Sequence, residues 1–387
     1  MKINDRIYGG FEINEQVLID LINSKAMQRL KGISQFGMPD EFYHKNGFSR
    51  YAHCVGVMLL LRKLGASLQE QVAGLLHDVS HTAFSHVIDW VIGDPEKENY
   101  QDEVFLQFIE KSEIPSILEK HGYDYKKICD VESFSLLENN APDICADRID
   151  YSLREIADFE SMENFKLILD SLTTFNGNIV FNSGNAAELF AFGYMKCNKE
   201  HWAAVESKSR YYMSMCFSIT PAFRLESTLS TRNLFTTTNF CAENSRLEEF
   251  SCIQKTSANQ TPHFSVEWHI VFLILSNILR IALEKKIINK EDFWKTDNEV
   301  INKLIHSNDK EILDGLALLR VGFEVKESNG KNSFVLRKKF RYVDPYFIEE
   351  DNLERVSKYS EIYRKALDDE KKESQIVKSF EVLQNAS

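Results

Sequence analysis

The stretch GLLHDVSHTAFSH, residues 74–86, interrupts an apolar helical run with a cluster of polar residues. It holds His77, His81 and His86, three of only ten histidines in 387 residues, and one acid, Asp78. A carboxylate buried in such a run is costly unless it is paired or binds a metal ion. His77 and His81 share a helix face, while Asp78 projects about 100° away from His77. A long and a short side chain on adjacent residues can still converge on one ion lying off the helix. Working outward, His53 lies in SRYAHCVGVMLLL on the preceding helical segment, and Asp147 lies in CADRIDY on a later one. Two imidazoles and two carboxylates form a borderline donor set that leaves coordination positions open to water or substrate. It suits Mn, Fe, Ni or Zn in a catalytic role better than a closed structural zinc. On spacing alone the His-Asp pair is a weak signal, because a buried histidine often only satisfies a hydrogen bond.

The surrounding periodicity is helical. Helices are expected over 14–36, over 50–64 with Gly65 as the terminating glycine, and over 68–79. Ser67 and Glu70 have the spacing of a capping box for the last of these. Further helices are expected over 82–93, 101–111 and 144–158, so residues 1–160 read as one helical core. A mixed, mainly helical region, 161–347, follows, with a short strand at 177–181. The alternation in 323–343 around Asn329-Gly330 predicts a β-hairpin, and 348–387 reads as a charged, peripheral helical tail. Residues 214–265 are rich in Ser and Thr and carry a single lysine, Lys255. They read as a poorly ordered insertion, the alternative being an ordinary variable loop.

The net charge of −12 argues against general nucleic-acid or anionic-membrane binding, because the summed field repels phosphate at long range. It leaves room for a small phosphorylated substrate in a locally cationic cleft. The seven cysteines are scattered, without the close pairs of a zinc ribbon, which predicts a reducing, cytoplasmic setting. MKINDRIYGGFEIN has no apolar signal core. WHIVFLILSNILRIAL is broken by Asn277 and Arg280 and reads as a buried helix, not a membrane span.

Three linked segments, SRYAH (49–53), LLHDVSHTAFSH (75–86) and ADRIDYSLRE (146–155), resemble the HD-domain phosphohydrolases. The likeness is to the branch containing the deoxynucleoside triphosphate triphosphohydrolases. QRLKGISQFG (28–37) adds to it, and a weaker echo reaches KFRYVDPYF (339–347). The resemblance implies an orthogonal helical bundle, one divalent metal ion held by His53, His77, Asp78 and Asp147, and self-association. It implies that His81 and His86 face the phosphates and assist proton transfer, with Asp89 orienting one of them. It assigns Arg50 and Arg148 to the phosphates, and Gln35, Tyr151 and Glu155 to a deoxyribose. Blander readings stand beside these. Arg50 and Arg148 could instead pair with protein groups, Gln35 could lie at the surface and His86 could bond backbone, while Tyr151 is equally suited to core packing.

Two departures from the branch matter. Its downstream His-Glu pair is replaced here by NYQDEVFLQF, with Gln101-Asp102 or a neighbour in that place, and Glu155 stands where Asp is usual. The expected activity is hydrolysis of a nucleotide phosphate, foremost a (deoxy)nucleoside triphosphate. The alternatives are phosphomonoesterase or phosphodiesterase action on another small molecule, and a nucleotide-binding regulatory module that has lost turnover. A two-iron oxygenase would need more spare ligands than His81 and His86.

Overall fold

The helix Arg50–Lys63 opens where Ser49 Oγ accepts from the amide of Ala52, and it closes ahead of Gly65, whose φ of +77° suits the residue after a helix end. It is followed by Leu68–Leu76, capped by Ser67, and the two pack side by side. The capping box is only half made: the Glu70 carboxylate accepts from the amide of Leu136 instead of returning to Ser67. Ala146–Ile156 packs across Arg50–Lys63. Leu59, Leu60, Leu75, Ile149 and Leu153 of these helices are fully buried in a first apolar core, and each such side chain contributes about 2 kcal/mol by leaving water.

The computed structural model describes residues 1–39, 42, 47–95, 97–202, 264–321, 324–327, 334–337, 340–350 and 352–383. The expected insertion 214–265 lies outside these, apart from its last two residues, which begin the helix Phe264–Glu284. The expected helix 14–36 is divided into Gln16–Ile22, Lys25–Arg29 and a 3-10 turn, Leu30–Gly32. Residues 82–93 form a 3-10 segment, Ser85–Trp90, because Phe84 and Ser85 carry positive φ angles that an α-helix does not admit.

A second apolar cluster gathers Phe264–Glu284, Asp297–His306 and Lys310–Val321 around Phe84, Val87 and Ile88 of the 3-10 segment. The expected apolar segment is thus a packed helix, and among the described residues no helix is long and apolar enough to cross a membrane.

The sheets are small. Lys2–Asp5 pairs with Gly9–Glu12. A four-stranded sheet runs Leu172–Phe175, Asn178–Phe181, Tyr346–Glu349, Asn352–Arg355. Strands Glu324–Glu327 and Phe334–Arg337 flank Asn329-Gly330, which itself lies outside the described residues. They do not pair with each other, as a simple hairpin would: Val377–Leu383 lies between them, antiparallel to both. The tail also departs from a peripheral helix. In Glu361–Ser374 the residues Tyr363, Leu367, Glu370 and Ser374 are buried, because their helical spacing lays one stripe against the first core.

Candidate metal centre

Leu68–Leu76 ends at His77, so the His-Asp pair sits at the helix C-terminus, where the chain turns. His77 Nδ1 is bound to the carbonyl of Gly74 at 2.8 Å, which aims Nε2 inward. His77 Nε2 is buried and makes no hydrogen bond among the described residues, with Asp147 Oδ1 standing 3.5 Å away. Ligand atoms of His53, His77 and Asp147 lie within 4.8 Å of one another. Asp78 completes the convergence, with its carboxylate 3.6 Å from His53 Nε2 and 3.7 Å from His77 Nε2. Arg50 also pairs with Asp78 Oδ2.

Burial disfavours charge on His53 and His77, but the neighbouring carboxylates outweigh it. His53 is raised by Asp147 and Asp150, and His77 is pushed up to about 9 by Asp78 and Asp147. Burial also opposes the carboxylates of Asp78 and Asp147, yet Arg50 and the histidines hold them well below the usual range. Two histidines drawn toward the protonated form thus face two ionised carboxylates, an arrangement in which a divalent cation would replace the imidazole protons. The donor set and the orphaned His77 Nε2 fit such an ion.

Behind the ligands lies a chain that sequence reasoning missed. His53 Nδ1 meets Asp150 Oδ2 at 2.8 Å, Asp150 takes Arg154 Nε at 2.8 Å, and Arg154 Nη2 reaches Asp5 at 2.9 Å. The signal was available in ADRIDYSLRE, where Asp147, Asp150 and Arg154 share one helix face. Gly56 gives this chain its room, since a Cβ there would overlap Arg154 Nη2 and Asp150 Oδ1.

On the other side, His81 Nε2 lies 3.3 Å from Asp78, and its ring meets His86 edge to face at 5.1 Å. Burial and the charge of Arg50 push His81 down to about 3. His86 is half-exposed, 3.4 Å from Asp89, and the buried Asp89 also accepts from the amide of Tyr100. Arg50 donates to Ser85 Oγ at 3.1 Å and to the carbonyl of Gln35. The side-chain oxygen of Gln35 is buried and makes no hydrogen bond among the described residues.

Other expected contacts are engaged elsewhere. Arg148 donates to the carbonyls of Asn139 and Asp143, bracing the loop ahead of its helix. Tyr151 packs 6.3 Å from His53 and edge to face on Trp202. Glu155 is buried. Gln101 donates to the carbonyl of His77 at 2.9 Å and so braces the turn from behind. Its neighbour Asp102 has an exposed side chain, and partial desolvation, with the charge of Asp78 beyond it, raises its carboxyl. A second donor group, Glu138, Cys145 and Asp147, is crossed by Arg148, whose guanidinium lies 3.4 Å from Cys145 Sγ and opposes a cation there.

The HD domain family matches residues 50–154, which span this centre from Arg50 to Arg154. YdhJ of Bacillus subtilis, an uncharacterized protein, is 35% identical over 368 residues, covering 94% of each chain. The metal-dependent phosphohydrolase cns2 of Cordyceps militaris is 36% identical over 209 residues, covering 52% of this chain and 60% of its own. The deoxynucleoside triphosphate triphosphohydrolase SAMHD1 homolog of Dictyostelium discoideum is 24% identical over 223 residues, covering 46% of this chain and 42% of its own.

Proposed function

The chain belongs to the HD-domain family, and from that premise we propose that it is a metal-dependent phosphohydrolase acting on a nucleotide phosphate, foremost a (deoxy)nucleoside triphosphate. The observation that carries this reading is the convergence of His53, His77, Asp78 and Asp147 beneath Arg50, His81 and His86. His53, His77, Asp78 and Asp147 would hold the ion, with Mn, Fe, Ni and Zn as the candidates. A bound divalent cation supplies a water of lowered pKa and offsets phosphoryl charge. Arg50, already directed at Asp78, adds positive charge on the phosphate side. His81, kept neutral by burial and Arg50, serves as a hydrogen-bond partner. His86, reachable from solvent and oriented by Asp89, is the better donor of a proton to the leaving oxygen. The nucleoside preference is supported by the SAMHD1 relatives and by Tyr151 and Gln35 beside the ligand set.

A second reading, a phosphomonoester or diester of another small molecule, is favoured by one observation. Arg148 and Arg154 are committed to protein carbonyls and carboxylates, which leaves less positive charge for a polyphosphate chain. Purified protein with added Mn or Fe, offered dNTPs, nucleoside monophosphates and p-nitrophenyl phosphate, separates the readings. Release of inorganic triphosphate from dNTPs, lost in His77→Ala and Asp147→Ala, is the expected result. Orthophosphate from monoesters alone would favour the second reading, and nucleotide binding without any product would replace both with a regulatory module.

A further inference from the structure

Asp297 is the first residue of the helix Asp297–His306, yet its carboxylate does nothing for that helix, which Thr296 and Glu299 cap between them. It points away and is 3% exposed. Its Oδ2 accepts from the amide of Ser34 at 2.9 Å and its Oδ1 from the amide of Phe84 at 2.7 Å. The neighbouring segment adds a further grip, as the Phe293 carbonyl accepts from the amide of Ala83 at 2.8 Å. Two consecutive amides of the histidine turn are therefore held by residues that come long after it in the chain.

The turn needs holding. Phe84 and Ser85 have φ of 64° and 44°, left-handed values that cost a residue with a Cβ about 1–2 kcal/mol each. Such geometry persists only where the surroundings over-determine it. Ser85 Oγ donates to the Ser34 carbonyl at 2.9 Å and accepts from Arg50 Nε. Asp297 thus ties the Ser34 and Phe84 amides together, while Ser34 and Ser85 close the same loop on its other side. Gly37 approaches so closely that a Cβ would stand 2.7 Å from the Phe84 carbonyl. Immediately after the strained pair comes His86, and against it lies Arg50.

We infer that Asp297 is a positioning residue: by fixing the Phe84–Ser85 turn it aims His86 and Arg50 at the ligand set, which makes the helices of residues 264–321 a structural part of the site. Burial pushes its carboxyl up to about 6, with the two amides, Arg50 and Arg29 pulling the other way. Arg29 braces the same turn, donating to the carbonyls of Val79 and His81.

The kinetic arm of the test rests on the hydrolase reading; the spectroscopic arm does not. Asp297→Asn keeps the side-chain shape and one acceptor oxygen, and Asp297→Ala removes both acceptors. Each is made alone and in a His86→Ala background, in the full chain, and assayed on the best substrate found for the wild type. Asp297→Ala is expected to lower kcat about tenfold or more at unchanged metal content and near-constant KM, and to cost less than about threefold where His86 is already gone. In parallel, NMR of histidine-labelled metal-free protein should show the His86 resonance, assigned by its loss in His86→Ala, displaced in Asp297→Asn. His121, bound to Asp20 away from the turn, should stay in place. A folded Asp297→Ala with kcat within twofold of wild type, or costs that simply add in the double variant, would overturn the inference. So would an unmoved His86 resonance in Asp297→Asn. Absence of turnover in the wild type defeats the hydrolase reading and leaves the resonance to decide this one.

Discussion

His53 is fixed at both ring nitrogens, by Asp150 on one side and Asp147 on the other. A carboxylate behind a candidate ligand sets its tautomer and raises its basicity. Asp150→Asn should therefore weaken metal binding by about 10–100-fold while the directly facing donors stay in place, as a competition titration with a chelating dye would show. Protons compete for the same space. Burial disfavours a proton on His77, but Asp78 and Asp147 keep it there up to about pH 9, so binding of a cation must release it. Apparent affinity should rise with pH and level off near 9, with proton release seen in weakly buffered solution. The sign for stability is opposite. The raised pKa stabilises the metal-free fold fully below the ordinary value of 6.5, and that contribution is lost as pH rises through 9. Thermal melts of metal-free protein should fall across this window, and those of metal-loaded protein should not. The convergence of His53, His77, Asp78 and Asp147 was legible because all four stand in short, ordered motifs. Asp5 was not, since nothing near it in sequence hints that it closes a buried ion pair with Arg154.

At the scale of elements, Gly56 decides how closely Arg50–Lys63 and Ala146–Ile156 approach. A methyl group there collides with the buried Asp150–Arg154 ion pair, which also holds His53 and Asp5. Gly56→Ala should destabilise the fold by about 3 kcal/mol, despite the better helix propensity of alanine, and should lower metal content along with the midpoint of urea unfolding. Helix positions were legible from apolar spacing and from caps such as Ser49 and Ser67. The break at residues 82–93 was not, because TAFSH carries no glycine or proline to announce left-handed backbone. Tertiary contacts, not local preference, impose that geometry. The partner of Glu70 was hidden for the same reason: Leu136 reaches it from a distant loop.

Across the whole molecule, the charged tail was the least legible part. Glu361–Ser374 has a strongly polar composition, and the buried stripe led by Tyr363 is narrow. Tyr363 nonetheless hydrogen-bonds the Val343 carbonyl and packs against Phe192, so the tail helix is joined to the first core. The surroundings of the centre likewise extend beyond the segment the family matches: residues 50–154 carry the candidate ligands, while Asp5 pairs with Arg154 behind them and Ser34, Phe293 and Asp297 bond the turn of residues 83–85.

The three-stranded sheet has a consequence for how the protein is made. Glu324–Glu327 and Phe334–Arg337 emerge from the ribosome close together, but each must wait for Val377–Leu383 before its main chain is paired. Until then two strand edges stand open, the state most prone to capture by other nascent chains. Ending translation before Val377 should turn a well-behaved product into one recovered from inclusion bodies. Supplying the missing segment as a separate peptide during refolding should restore part of the yield, as size-exclusion chromatography would measure. Order of synthesis, and not stability alone, thus bears on whether the chain reaches its fold.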